Sequence, residues 1–230
     1  MADAALFRLE GTLSPRPTLT AATWLALNAR RVRARLLGLT SFAVAGPLSL
    51  APSFARDPNR ALRLAWSALE GMSEDRLVVL GELYAEEHLL PAISDVGREL
   101  LERCRTSGMR LALLSDNLDV VANPVGRALG FDVVIANAME LDASHRATGD
   151  LREPIIGPAL GGRALSDRLA EHGIDLRTSS AYGSRASDAA LLGAARLPCA
   201  VVPDPELSRV ARDCDWPIVE ASKSGMEARR

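Results

Sequence analysis

Two charged side chains stand at the end of the first apolar run of the chain. Arg8 lies near the end of the run at residues 4–9, and Glu10 follows the run directly, ahead of Gly11 and Thr12. This pattern predicts a buried strand that ends in a loop. A guanidinium stays protonated at any ordinary pH, so Arg8 can neither attack an electrophile nor accept a proton. A carboxylate can do both. Covalent or proton-transfer chemistry at this strand end would therefore fall to Glu10.

Other residue types that carry chemistry lack the spacing that a site requires. The three histidines show no spacing for a metal or a triad, and the three cysteines show no zinc-ligand or disulfide pattern (His88, His145 and His172; Cys104, Cys199 and Cys214). The glycine-rich segment 157–162 lacks the Gly-Lys-Ser/Thr ending of a phosphate-binding loop, so no nucleoside triphosphate site is predicted. Lys223 is the only lysine, which excludes a catalytic lysine from the body of the chain.

Short strand-like runs recur after residue 100 and alternate with helix-length stretches. The runs lie at residues 111–114, 133–136, 179–182, 199–202 and 217–219. This alternation predicts a three-layer, Rossmann-like α/β core, in which a mostly parallel sheet is covered by helices on both faces. In such a sheet the ligand crevice lies at the carboxyl ends of the strands.

Residues 14–89 show helical patterns with few strand-like runs, and they are predicted to form a helical cap inserted after the first strand. Helical patterns occupy residues 19–37, 59–70 and 74–87. An insertion that leaves from the end of the first strand would sit over the crevice. The predicted organisation is thus a core of residues 1–13 and 90–220, a cap of residues 14–89 and a disordered tail at residues 221–230.

The cap contains a basic run followed by an uncharged stretch. Arg30, Arg31, Arg33 and Arg35 precede residues 36–55, which contain no charged side chain. Twenty such residues could just cross a bilayer, but two prolines and two glycines argue against a spanning helix. An ordinary pair of cap helices, or a surface that contacts a membrane or a partner, are the alternatives.

Composition limits the class of protein. The 230 residues are 48% apolar and 24% charged, as expected of a folded chain, and the net charge of −2 gives no overall attraction to nucleic acid. No basic and apolar leader precedes the first strand, so a cytoplasmic location is expected.

The order of motifs resembles the phosphoserine-phosphatase-like branch (subfamily IB) of the haloacid dehalogenase superfamily. In that branch the first strand ends in Asp-x-Asp-Gly-Thr-Leu, and this chain keeps Gly11, Thr12 and Leu13 while carrying Arg8 and Glu10 at the aspartate positions. The resemblance continues through Glu70-Gly71-Met72-Ser73 in the cap, residues 108–115, and 183–188, where the family has Gly-Asp followed by Asp four residues later.

The resemblance implies a role for each matching position. Ser115, Arg163, Gly183 and Ser184 would bind a phosphate or another anion, and Asp188 would be a remnant of the family's magnesium site. The family's nucleophilic aspartate and one of its metal-binding aspartates are replaced by Arg8 and Ser184, so neither catalytic residues nor a bound metal are expected. We also expect Arg8 to lie beside Glu10 and Asp188 and to replace the charge of the missing metal.

The resulting expectation is a degenerate phosphatase, or pseudophosphatase, that binds an unknown protein partner or a phosphorylated small molecule. One alternative is an active magnesium-dependent phosphomonoesterase with a non-standard site. A second alternative is binding to a membrane surface or lipid headgroup through the cap and its arginines.

Overall fold

The computed structural model describes residues 3–28, 59–157 and 163–221. The predicted basic run of the cap, the uncharged stretch at 36–55 and nearly all of the predicted tail lie outside these residues. Within them, none of the helices has both the length and the apolar character needed to cross a bilayer.

A six-stranded parallel sheet forms the centre of the molecule. The strands in chain order are β1 (Ala4–Arg8), β2 (Arg110–Leu118), β3 (Val133–Asn137), β4 (Met139–Leu141), β5 (Ala147–Leu151), β6 (Ser180–Gly183), β7 (Leu197–Val201) and β8 (Ile218–Val219). The sheet order is β3-β2-β1-β6-β7-β8, while β4 and β5 form a separate antiparallel pair. The predicted parallel α/β core is confirmed, with β1 in the interior of the sheet.

Eight α-helices are described. They are α1 (Thr18–Asn28), α2 (Arg60–Ser67), α3 (Glu74–Tyr84), α4 (Asp95–Thr106), α5 (Asp119–Leu129), α6 (Arg163–Glu171), α7 (Ala189–Ala194) and α8 (Pro205–Asp213). A π-helical turn, Ala85–Leu89, extends α3, and short 3₁₀ turns occur at Leu90–Ala92, Leu176–Thr178 and Ala186–Asp188. The helix predicted at 59–70 is shorter than expected because α2 ends at Ser67, ahead of a turn that leads to Gly71 at a positive φ of 75°.

The alternation of side chains along the strands divides the core into two layers. Phe7 and Leu113 face one side of the sheet and belong to an apolar cluster shared with α4 and α5. Leu6 and Ala112 face the other side, in a cluster that contains residues of α6, α7 and α8. Successive residues of a strand point to opposite faces, so fully apolar strands require cover on both.

Helices α1, α2 and α3 and the β4–β5 hairpin share the first of these clusters. Trp66 of α2 is fully buried in it, together with Ala147 and Leu151 of β5. The amide of Gly71 donates to the carbonyl of Ala147 at 2.7 Å, and the amide of Ala147 donates to the carbonyl of Met72 at 2.8 Å. The hairpin, which the sequence reading did not predict, therefore anchors the loop between α2 and α3.

Candidate functional site

The register of the sheet brings three strand ends together. In β1, Arg8 lies opposite Leu114 of β2, and Phe7 lies opposite Tyr182 of β6. The segments directly after these positions are residues 9–14, residues 115–117 and the loop that begins at Ser184. Because all three strands are parallel, these segments meet at one edge of the sheet, where ligand sites of open α/β folds lie.

A tight turn after β1 returns Glu10 toward the sheet. The amide of Gly11 donates to the carbonyl of Ser14 at 2.7 Å, and the amide of Ser14 donates to the carbonyl of Leu9 at 2.9 Å. Gly11 has a φ of +87°, and a Cβ there would lie 2.6 Å from the hydroxyl of Ser184. Only glycine meets both the backbone conformation and this close approach.

Arg8 lies at the centre of a buried group of charges. Its Nη2 is 2.9 Å from Oδ1 of Asp116 and 3.8 Å from Oε2 of Glu10, and its Nε donates to Oδ1 of Asp188 at 3.2 Å. The four residues, hereafter the Arg8 cluster, are each no more than 6% exposed. The expected contacts of Arg8 with Glu10 and Asp188 are thus present, and Asp116 is a third partner that the sequence reading did not identify.

Glu10 accepts three hydrogen bonds from the end of β2. The Ser115 hydroxyl donates to Oε1 at 2.5 Å, the Asn117 side-chain amide donates to Oε1 at 2.7 Å, and the backbone amide of Asp116 donates to Oε2 at 3.1 Å. Charge-assisted bonds of this kind compensate a buried carboxylate for the water it has lost. The lone pairs of Glu10 are therefore engaged by its own protein.

Asp188 is held in a similar way by the loop after β6. Its Oδ2 accepts hydrogen bonds from the backbone amides of Ser184 and Arg185, at 2.9 Å and 3.0 Å. Gly183 leaves room for this arrangement, because a Cβ on it would lie 2.7 Å from the Cβ of Asp188. The amides predicted to bind an anion donate to this carboxylate instead.

Asn137, at the end of β3, fixes the backbone beside the cluster. Its side-chain amide donates to the carbonyls of Asp116 and Ile156 at 2.8 Å and 2.6 Å, and its carbonyl oxygen accepts from the amide of Ile156 at 2.8 Å. It is 1% exposed, so these three bonds replace the hydration that the groups would have in water. The hydrogen bond from the Asn137 side-chain amide to the carbonyl of Asp116 fixes the backbone of Asp116.

The pKa values of two residues of the Arg8 cluster are raised above their ordinary values, each for a different reason. Burial by itself lowers the pKa of Arg8, but the attraction of Asp116, Glu10 and Asp188 outweighs it and leaves the pKa above the ordinary value. Burial raises the pKa of Asp116 to about 6, since repulsion by Glu10 and Asp188 adds to desolvation and the attraction of Arg8 only partly offsets them. Arg8 stays charged at all accessible pH values, and Asp116 takes up a proton in mildly acidic solution.

The structure brings together most of the predicted site residues. Ser115, Gly183 and Ser184 all lie against the Arg8 cluster, whereas the side chain of Arg163, the first residue of α6, lies outside the described part of the chain. Asp116, Asn117 and Asn137 belong to the site but were not predicted. Polar residues at the carboxyl end of a buried apolar strand were the signal that could have identified the first two.

Magnesium does not fit this arrangement of residues. It requires close to octahedral oxygen ligation, but the three converging carboxylates already surround a guanidinium. Within the ranges that the structure describes, no group of three or more histidine, cysteine, aspartate or glutamate side chains is arranged to hold a metal ion. A divalent cation at this edge would have to displace Arg8.

Few polar atoms at the strand ends remain available to a ligand. Nη1 of Arg8, Oγ1 of Thr12 and Oδ1 of Asn117 are buried and lack a hydrogen-bond partner. One is a donor, one an acceptor, and the hydroxyl can act as either. Oδ1 of Asp116 also lacks a hydrogen-bond partner, although it lies 2.9 Å from Nη2 of Arg8.

Solved structures share this architecture. A protein of unknown function from Bordetella pertussis Tohama I has a TM-score of 0.76 and 23% identity, and the comparison covers 94% of this chain and 97% of that one. A phosphoserine phosphatase in its apo form has a TM-score of 0.64 and 18% identity, over 96% of this chain and 94% of the other. At these identities the likeness shows the fold alone.

Sequence comparisons extend the likeness to named relatives. The chain is 32% identical to the "inhibition of morphological differentiation protein" of Streptomyces azureus over 56% of its length, a match that spans 47% of that relative. It is 26% identical to a histidinol-phosphatase of Neisseria meningitidis, over 71% of this chain and 75% of the relative. The family model of haloacid dehalogenase-like hydrolases matches residues 5–193, from the first strand to the helix after Asp188. With its parallel core and with these relatives, the chain belongs to the haloacid dehalogenase-like hydrolases and is similar to phosphoserine phosphatases.

Proposed function

We propose that this chain is a pseudophosphatase, a member of the phosphatase family that acts by binding and has no phosphatase chemistry. The observation that carries the proposal is the position of Arg8. Its guanidinium lies at the carboxyl end of β1, within 3.8 Å of three carboxylates and excluded from solvent. A phosphoryl-transfer nucleophile must offer an available electron pair, and the permanently protonated guanidinium of Arg8 has none.

The remaining acids of the site are poorly placed to take over the reaction. Glu10 is engaged by three donors, so both of its carboxylate oxygens already accept hydrogen bonds from the protein and are not free to attack phosphorus or to hold a water molecule. Asp188 is bound by Arg8 and by two backbone amides. Each acid supports the neighbouring strand ends, which favours a structural role over a catalytic one.

The same contacts favour a protein partner over a phosphorylated small molecule held at the strand ends. Ser115, which the resemblance assigns to phosphate, donates its hydroxyl to Glu10, and the amides after Gly183 donate to Asp188. A phosphate there would also face three carboxylates balanced by one guanidinium. Like charges at such short range oppose binding.

A second candidate function is supported by the names of the relatives. The histidinol-phosphatase of Neisseria meningitidis and a phosphoserine phosphatase of Mycobacterium tuberculosis, the latter 27% identical over 68% of this chain and 50% of its own length, are named as phosphatases. On this reading the chain is a phosphoric monoester hydrolase in which Glu10 attacks the phosphorus or activates water, with a metal ion that displaces Arg8.

Phosphate release separates the two proposals. The full chain is incubated with an aryl phosphate and with a panel that contains phosphoserine and histidinol phosphate, with and without magnesium, next to a phosphoserine phosphatase as a positive control. No release above background is expected from this protein. Turnover that a chelator and the variant Asp188→Ala both abolish would show a working metal site and overturn the pseudophosphatase proposal.

A matched variant guards against a contaminating phosphatase. Arg63 forms an exposed ion pair with Glu153, outside the Arg8 cluster, so Arg63→Ala should behave as the wild type in every assay. Release that persists equally in Asp188→Ala, Glu10→Ala and Arg63→Ala comes from a contaminant. Release lost only in the first two comes from this site.

A further inference from the structure

Four polar atoms at the strand ends are buried without a hydrogen-bond partner among the residues that the structure describes. They are Nη1 of Arg8, Oγ1 of Thr12, Oδ1 of Asn117 and Oδ1 of Asp116, the last of which still forms an ion pair with Arg8. Each of the four residues is at most 6% exposed. Folded proteins satisfy nearly all of their buried polar atoms, so several unsatisfied atoms at one site call for an explanation. A group bound among them would supply the missing hydrogen bonds.

The four atoms belong to two segments that meet around Glu10. The side-chain amide of Asn117 donates to Oε1 of Glu10 at 2.7 Å, and Nη2 of Arg8 lies 3.8 Å from Oε2 of the same carboxylate. Thr12 lies in the turn that follows Glu10, where the amide of Leu13 donates to the carbonyl of Arg8 at 3.3 Å. The unsatisfied atoms thus belong to one site, at the edge of the sheet where ligands of open α/β folds bind.

The hydrogen-bonding capacity of these atoms limits the chemistry of a ligand. Nη1 of Arg8 is a donor and requires an acceptor, whereas the two Oδ1 atoms of Asn117 and Asp116 are acceptors and require donors. An anionic ligand would face the three carboxylates of the Arg8 cluster, which repel it. A cation such as a metal or ammonium ion has no acceptor for Nη1 and would lie beside a guanidinium. The ligand must therefore be neutral and must carry both a donor and an acceptor.

A primary carboxamide meets these requirements. Its carbonyl accepts from Nη1 of Arg8, its NH₂ group has two donors for Asn117 and Asp116, and the hydroxyl of Thr12 bonds to either end. We propose that this site binds a primary carboxamide, carried by a free small molecule or by an asparagine or glutamine side chain of a protein partner. This inference rests on the proposed function, because it requires that neither magnesium nor phosphate occupies the strand ends.

Three small probes of the same shape test the charge of the ligand. Acetate, acetamide and acetamidinium are planar and nearly equal in size, but at neutral pH they are an anion, a neutral amide and a cation. Their binding to the full chain is followed by saturation-transfer NMR and by the melting temperature of the protein. Acetamide should bind and raise the melting temperature, whereas the two ions should not. Preferential binding of acetate or of acetamidinium would overturn the proposal.

The variant Thr12→Val assigns the binding to this site. Valine has the shape of threonine but lacks the hydroxyl, which has no partner in the described part of the chain, so the unliganded variant should be at least as stable as the wild type. Its affinity for acetamide should fall about fivefold, as expected for one lost hydrogen bond. The control is Thr106→Val, which alters an exposed hydroxyl of α4 and should bind as the wild type does. A destabilised Thr12→Val, together with no acetamide binding to the wild type, would show that a buried water fills the site and would overturn the proposal.

Two larger probes distinguish the sources of the carboxamide. N-acetylasparagine methylamide presents the side chain on an uncharged backbone, as a protein partner would, whereas free asparagine carries an ammonium and a carboxylate group. Tighter binding of the first assigns the site to a partner's side chain, and tighter binding of the second assigns it to a small molecule.

Failure of this proposal is separable from failure of the proposed function. If none of the amide probes binds and no phosphate is released from the substrate panel, the carboxamide site is refuted and the pseudophosphatase proposal stands. Magnesium-dependent release of phosphate would overturn the proposed function itself.

Discussion

Replacing Arg8 by alanine is the perturbation that tests the site most directly. The change removes the one cation from a cluster of three buried carboxylates, with contacts of 2.9, 3.2 and 3.8 Å. Removing one partner of a buried ion pair lowers the free energy of unfolding by about 3–5 kcal/mol, because the other partner is left charged and out of water. We expect a loss of about 4 kcal/mol in the free energy of unfolding, or a melting temperature lower by roughly 10 °C for a chain of this size.

The loss of stability in Arg8→Ala should depend on pH, and the direction of this dependence follows from the pKa of Asp116. Without Arg8 the attraction that lowers the pKa of Asp116 is gone, so this pKa rises further above the ordinary value. A carboxyl whose folded pKa is raised contributes stability at low pH, and that contribution is lost as the pH rises through the folded pKa. Arg8→Ala should therefore lose more stability at pH 8 than at pH 5.

Urea denaturation followed by circular dichroism measures this effect. Arg63→Ala is the control, because it breaks an ion pair whose two side chains are 41% and 63% exposed and should cost less than about 1 kcal/mol. If the two variants lose the same stability at pH 8, or if the loss in Arg8→Ala does not change with pH, the cluster does not stabilise the fold and the reasoning is refuted.

Three further predictions address the surroundings of Arg8. Asp116→Asn removes a carboxyl whose pKa of about 6 makes the wild type less stable as the pH rises. The free energy of unfolding of the variant, relative to the wild type, should therefore rise by about 3 kcal/mol between pH 4 and pH 8. A difference in denaturation curves that does not depend on pH would contradict this. Asn137→Ala leaves three buried backbone groups without partners and should cost about 3 kcal/mol by urea denaturation, whereas the exposed Asn28→Ala should cost far less. Gly11→Ala should lower the melting temperature by several degrees, because Gly11 has a φ of +87° and the new Cβ would lie 2.6 Å from the hydroxyl oxygen of Ser184. Gly108→Ala should lower it less, because Gly108 also has a positive φ but has open space around it. Equal effects of the two glycine substitutions would show that the close approach to Ser184 is unimportant.

The sheet could be predicted from the sequence because its strands are continuous apolar runs. Residues 4–9, 111–114 and 133–136 are strand-length and flanked by helical patterns, and the observed strands begin within one residue of each predicted start. The β4–β5 hairpin was missed because its strands are short and polar, with Glu140 and Asp150 in them. Its position depends on backbone bonds to Gly71 and Met72, which no local pattern reveals.

The cluster was only partly predictable, for a different reason. The contacts of Arg8 with Glu10 and Asp188 follow from the motif order, since strand ends of a parallel sheet meet at one edge. Asp116 does not follow from the motif order, because the resemblance assigns a role to Ser115 and none to the acid next to it. The hydrogen bond from the Ser184 amide to Asp188 depends on the shape of the short 3₁₀ turn that ends at Asp188. Contacts of this kind between a side chain and nearby amides form only once the loop has adopted its folded conformation.

The contacts around Arg8 also predict the effect of the substitution Arg8→Asp. An aspartate at position 8 would place a fourth carboxylate beside Glu10, Asp116 and Asp188, with neither a cation to balance them nor a carboxylate at position 184 to complete a metal site. Glu10 would still be engaged by three donors from the end of β2. On the proposed function, the chemistry was not lost at one residue but replaced by an interdependent set of contacts. The variant Arg8→Asp should therefore unfold more easily than the wild type and, on the proposed function, still release no phosphate.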